Sequence, residues 1–239
     1  MIVEICANSY ESAINAEKAG AHRIELCSEL AVGGITPSFG LLQKVMQDLS
    51  IPVHVLIRPR SGDFTYSDQE FEIMTKDVEI CKELGVSGIV SGVLNNDMSI
   101  DKERTQELVE LSKPMSFTFH RAFDWLIDPI NGIYQLGKLG VDRILTSGQE
   151  SSAEQGIELL KELRNETSII IMPGGGINAN NASMFKENGF KELHLSATKK
   201  RQTIKVPKIS MNSLKHFEET QIAISDIQTI QNILSQVND

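Results

Sequence analysis

The chain has 239 residues, 41% of them hydrophobic and 23% charged, with a net charge of −9. This length and balance suit a large folded core and exclude a disordered polymer. No basic stripe opposes the acidity, which argues against a nucleic-acid partner, and Lys199-Lys200-Arg201 reads as a solvated loop.

From the N-terminus, Met1-Ile-Val-Glu-Ile-Cys6 reads as a strand and lacks the basic start and apolar stretch of a signal peptide. Further strands are expected over residues 22–26, 53–57, 88–91, 116–120, 142–146, 168–172 and 192–196. Helical patterns fall between them, among others over 9–19, 38–49, 67–84 and 153–164. Ser67-Asp-Gln-Glu70 has the spacing of a capping box, and Gly85 and Gly140 follow helical runs as stops. Such regular βα alternation predicts an α/β TIM (β/α)8 barrel spanning 1–239 as one domain. An open doubly wound sheet is the alternative, but no GxGxxG turn follows the first strand and no nucleotide cofactor is expected.

Barrel strands alternate their side chains between lumen and helices. One parity is almost wholly apolar: Val3, Ile5, Ile24, Leu26, Val53, Val55, Ile57, Phe117, Phe119, Leu193 and Leu195. The other carries Glu4, Cys6, Arg23, Glu25, Cys27, His54, Arg58, Ser116, Thr118, His120, His194 and Ser196. The apolar set therefore packs on the helices and a polar set fills the lumen, where charges must pair or serve a site. Sites in such barrels sit at the C-terminal strand ends, where Ser116-Phe-Thr-Phe-His120-Arg121-Ala-Phe-Asp124 places its charged residues.

Gly174-Gly175-Gly176 after the seventh strand, with Ser196 and Thr198 after the eighth, is a candidate anion site or simply a tight turn. Asn178 is expected to cap the helix that follows. Residues 199–224 lose the rhythm and are expected to be a long irregular segment running over the rim as a lid, before a final helix at 225–237. Three cysteines, with no CxxC pair, indicate reduced thiols in a cytoplasmic protein without a locally readable zinc site. No apolar run is long enough to span a bilayer, so no membrane partner is expected.

Several segments together resemble the CutC family, named for copper homeostasis. They are Glu4-Ile-Cys6, His22-Arg-Ile-Glu-Leu-Cys27, Gly33-Gly-Ile-Thr-Pro-Ser-Phe-Gly40, Ile57-Arg-Pro-Arg60 with Gly62-Asp-Phe64, Thr118-Phe-His-Arg-Ala-Phe-Asp124, Arg143-Ile-Leu-Thr-Ser-Gly-Gln149, Met172-Pro-Gly-Gly-Gly-Ile177 and His194-Leu-Ser-Ala197. The resemblance runs in order over about residues 2 to 198. It implies a TIM barrel, a cytoplasmic protein linked to copper tolerance, trafficking or binding, and a homo-oligomer.

Three functions stay open at this point. Cys6 and Cys27 share the lumen parity on neighbouring strands and are soft ligands suited to Cu(I), with Met172 as a third donor; buried lone cysteines also serve as small hydrophobes, as expected for Cys81. Glu4, Glu25, Arg58, His120, Arg121 and Asp124 make an acid/base set for a small carboxylate or phosphate substrate. In that set Asp124 is expected to cap the next helix, or else to fix the His120 tautomer, and Arg60 and Asp63 flank the substrate. A non-catalytic scaffold is the third.

Overall fold

The computed structural model describes residues 1–211 and 218–237. Eight parallel strands alternate with helices: β1 Ile2–Ala7, α1 Tyr10–Ala19, β2 Arg23–Leu26, α2 Phe39–Asp48, β3 Val53–Leu56, α3 Asp68–Glu83, β4 Gly88–Ser91 and α4 Lys102–Ser112. They continue as β5 Ser116–Phe119, α5 Pro129–Lys138, β6 Arg143–Thr146, α6 Ile157–Glu166, β7 Ile170–Pro173, α7 Ala182–Glu187 and β8 Glu192–Leu195. The sheet runs β7-β6-β5-β4-β3-β2-β1-β8, and a bridge between Gly174 and His194 brings its two edges together. This is the expected TIM barrel.

Local chemistry sets the element ends. Ser67 accepts from the Glu70 N–H while the Glu70 carboxylate takes the Ser67 N–H, so the capping box forms. Residues 153–156 form a turn ahead of α6, with the Ala153 N–H on the Gly175 carbonyl. Asn178 does not cap α7: that position is Asn181, and Asn178 instead accepts from the Asn180 N–H within the preceding turn.

The apolar parity is buried against the helices, with Val3, Ile5, Ile24, Leu26, Val55, Ile57, Phe117, Phe119 and Leu193 in the main core. Each fully buried side chain of this size stabilises by about 1.5–3 kcal/mol relative to exposure. A second, smaller cluster of Cys6, Cys27, Leu56 and Val90 lies apart from it, on the polar-parity side of the strands.

After β8 the chain departs from an irregular lid. Thr198–Gln202 (β9) and Gln221–Ser225 (β10) form an antiparallel ribbon, whose β9 strand is exposed at every position. Residues 212–217, within the segment expected to be irregular, lie outside the described residues. Helix α8, Ile227–Val237, then buries Ile230, Ile233, Leu234 and Val237 and packs on α1 and α7. No helix among the described residues is long and apolar enough to cross a membrane.

Candidate functional site

The polar lumen has two layers. In the deeper one, Arg23 donates to Glu4 at 2.5 Å and to Glu192 at 2.6 Å. Arg143 donates to Glu192 at 2.6 Å and to Thr118 at 3.2 Å. All four charged residues are buried. Burial would raise the Glu4 pKa, but the His194 hydrogen bond and the Arg23 charge outweigh it and hold the carboxyl well below the usual range. His54 joins this layer with Nδ1 3.4 Å from Glu4 Oε2, outside hydrogen-bonding geometry. Burial lowers its pKa to about 4, so the imidazole is neutral.

The second layer lies at the C-terminal strand ends, around a cavity of about 520 Å³. Its lining includes Cys6, Glu25, Arg58, Phe64, His120, Arg121, Asp124, Trp125, Gly175, Gly176, His194 and Ser196. Strand register places Glu25 beside Cys6 and His194 beside Glu4. His194 Nδ1 is 2.8 Å from Glu4 and 4.0 Å from Glu25. Burial alone would lower the His194 pKa; Glu25 and Glu4 raise it above the ordinary value. Burial pushes Glu25 up to about 7, helped by the Glu4 charge and opposed by His194. Two carboxylates about one ring are thus driven apart in acidity, the condition for dividing acid and base roles.

On the same wall, the Cys6 and Cys27 sulfurs are 3.5 Å apart and Cys6 Sγ is 3.6 Å from Glu25 Oε1. The Cys27 hydrogen bond and burial raise the Cys6 pKa well above that of a free thiol. Ligand atoms of Cys6, Glu25 and Cys27 lie within 4.8 Å of one another, as do those of Glu4, Glu25 and His194. Met172 is not a third donor in this thiol group, since its sulfur accepts from Arg23 at 3.5 Å in the deeper layer. Cys81 is buried on α3 in the main core.

Across the cavity stands His120. A Cβ at Gly92 would lie 2.7 Å from His120 Nδ1, so only glycine there admits the ring so closely. His120 Nδ1 accepts the Ala122 N–H at 3.2 Å. Burial, then the Arg58 charge, lowers its pKa to about 3. A neutral ring with an accepting Nδ1 carries its proton on Nε2, and that atom is buried without a partner. Arg58 bonds the carbonyls of Val32, Gly34 and Gly62 and lies over the Phe64 ring, which leaves its buried Nε unpartnered. Glu25 Oε2 is unpartnered as well.

Asp124 neither caps α5, whose cap is Asp128, nor touches His120. It accepts from Thr146 Oγ1 and from the N–H groups of Ser147 and Gln149, and it pairs with Arg121 at 2.7 Å. Arg60 is tied to Glu70 and Asp63, and neither Arg60 nor Asp63 lines the cavity. Of the glycine loop, Gly175 and Gly176 line it; the Gly174 N–H goes to Thr146. Ser196 reaches the cavity, whereas Thr198 begins β9 and is exposed. The sequence reading stops short of His194, which its own parity rule put in the lumen. The aromatic wall of Phe64 and Trp125, rings 4.8 Å apart, is not expected from it either: Phe64 comes from the loop after β3 and Trp125 from the 3-10 turn Arg121–Trp125.

Fold and cavity together define a (β/α)8 barrel whose mouth is built around a hollow lined by both polar and apolar side chains. The chain belongs to the CutC family, whose sequence profile matches residues 1–199. It is 43% identical to the mouse "Copper homeostasis protein cutC homolog" over 100% of this chain and 90% of that protein. It is 48% identical to a CutC family protein of Enterobacter over 83% of this chain and 81% of that one. The crystal structure of a Streptococcus agalactiae CutC protein superimposes with a TM-score of 0.78 and 36% identity, covering 82% of this chain and 98% of that one. A thiamine phosphate pyrophosphorylase from Pyrococcus furiosus, at 12% identity and a TM-score of 0.60, covering 99% of this chain and 95% of that one, shares the fold alone.

Proposed function

We propose that this protein serves copper homeostasis, the role carried in its relatives' names, by holding one Cu(I) ion between Cys6 and Cys27. The observation that carries this is the pair of thiols 3.5 Å apart at the cavity wall. Thiolates are soft donors matched to Cu(I), and two suffice for a low-coordinate site. The ion enters at Cys6, which lines the cavity, and reaches the fully buried Cys27 behind it. Both thiols must lose a proton to bind. Glu25, 3.6 Å from Cys6, is the nearby acceptor. Three free cysteines support a reducing, cytoplasmic setting. An anaerobic Cu(I) titration against a competing chelator tests the reading. One tight equivalent in the wild type, lost in Cys6→Ser/Cys27→Ser, is the expected result. Unchanged stoichiometry in the double variant overturns it.

A second reading is favoured by the cavity itself. About 520 Å³ is room for an organic molecule, and the lining residues Glu25, Arg58 and His120 each keep a buried polar atom without a hydrogen-bond partner. Acid/base chemistry on a small anion, with Glu25 exchanging the proton and His120 Nε2–H donating to the reacting oxygen, is the reaction class these groups suit.

A further inference from the structure

The chemical class of that anion follows from the rim of the cavity beyond β7. Gly175 and Gly176 have φ of +101° and +74°, consecutive backbone conformations that glycine adopts without strain, in a turn that borders the cavity. No hydrogen bond among the described residues takes up the N–H of Gly175, Gly176 or Ile177, although all three residues line the cavity. Arg121 lies over this turn, since a Cβ on Gly175 would meet its Nη1 at 3.3 Å. Its Nε is fixed by Asp124 and its Nη2 by Ser147 at 2.7 Å, which leaves Nη1 as the free edge of a held guanidinium. Asp124 and Glu25 are the two acids on the lining. Asp124 is already saturated by Arg121, Thr146, Ser147 and Gln149, and Glu25 stands on the thiol wall.

Three backbone donors and one guanidinium edge spread around one turn suit the three terminal oxygens of a phosphate. Beside them the wall is apolar and aromatic, with Phe64, Trp125, Leu145 and Ile177. Buried within hydrogen-bonding need is His120 Nε2–H, a donor for a hydroxyl or carbonyl on the organic part.

We propose that the barrel mouth binds a small phosphate monoester, its phosphate on the Gly175–Ile177 turn and Arg121 and its organic part against Phe64, Trp125 and His120. The site is distinct from the thiol pair and shares only the cavity with it. The inference rests on the second reading for its cavity, but binding requires no turnover.

The test is calorimetry on the reduced, copper-free full chain with phenyl phosphate as probe, beside inorganic phosphate and benzoate. Saturable binding of phenyl phosphate is expected, about tenfold tighter than either control, since loss of one charge-assisted contact or of the ring's burial is worth that much. Arg121→Met weakens it by about tenfold and Arg121→Lys recovers part. Amide spectra of the wild type give a second measurement that needs no variant: the signals of Gly175, Gly176 and Ile177 move with phenyl phosphate. Benzoate binding as tightly as phenyl phosphate overturns the phosphate assignment. Absence of saturable binding, or amide shifts confined to other loops, overturns the site. Neither outcome touches the copper titration, and absence of turnover by Glu25 leaves the binding result standing.

Discussion

Deep in the lumen, Glu4, Arg23, Arg143 and Glu192 are all buried and each charged group answers another. A few ångströms higher, Glu25, Arg58 and His120 are just as buried, yet each keeps one polar atom without a partner. The same barrel, with the same low exposure, thus pairs its charges in one layer, where the neutral His54 keeps Nδ1 without a partner, and leaves a polar atom of each of these three residues unpartnered in the next. Closed pairing is what a structural network needs, because a buried charge without its partner costs several kcal/mol. Open atoms at a cavity wall are what a ligand completes. The difference separates the scaffold of this barrel from its site.

Breaking the closed layer has the largest expected effect. Arg23→Met leaves Glu4 and Glu192 facing one another without their shared cation, and unfolding free energy in urea falls by about 3–5 kcal/mol. A loss below about 1 kcal/mol would show that the layer relaxes by taking up protons or water.

In the open layer, Glu25→Gln acts through pH. The folded pKa of Glu25, about 7, lies above its unfolded value of 4.5. Its stabilising contribution is therefore complete below pH 4.5 and lost as pH rises through about 7. Glutamine keeps the neutral shape without that loss. The stability of Glu25→Gln relative to wild type consequently climbs between pH 4.5 and about 7 and then levels off. A difference independent of pH would mean that Glu25 is not held neutral by burial.

The smallest effect belongs to the surface. Arg201 on β9 pairs with Glu11 at 2.7 Å in an exposed setting, where such pairs add little. Arg201→Ala leaves Cu(I) stoichiometry unchanged and moves the urea midpoint only marginally. A clear loss of copper binding would bring the β9–β10 ribbon into the site.

Much of this division is legible in the sequence. Period-two alternation puts Glu4, Cys6, Glu25, Cys27, Arg58 and His120 on one face because barrel strands have no other choice, and strand ends locate the mouth. What stays hidden depends on contacts between distant segments. Asp124 looks like a cap three residues after Arg121, but its partners include Thr146 at the end of β6 and Ser147 and Gln149 in the loop after it. Met172 looks like a third sulfur donor, yet it faces Arg23 rather than the thiols. The β9–β10 ribbon buries no face along β9, so Thr198–Gln202 carries no hydrophobic alternation to announce a strand. Phe64 comes from a loop and Trp125 from the short 3-10 turn Arg121–Trp125, where periodicity says nothing about facing.

X-ray absorption at the copper edge of the reduced, Cu(I)-loaded protein tests most directly that the open layer is the functional one. A first shell of two sulfur atoms, absent when Cys6 and Cys27 are both serine, is the predicted result. A shell of nitrogen and oxygen only, or a sulfur shell that survives in Cys6→Ser/Cys27→Ser, would contradict it.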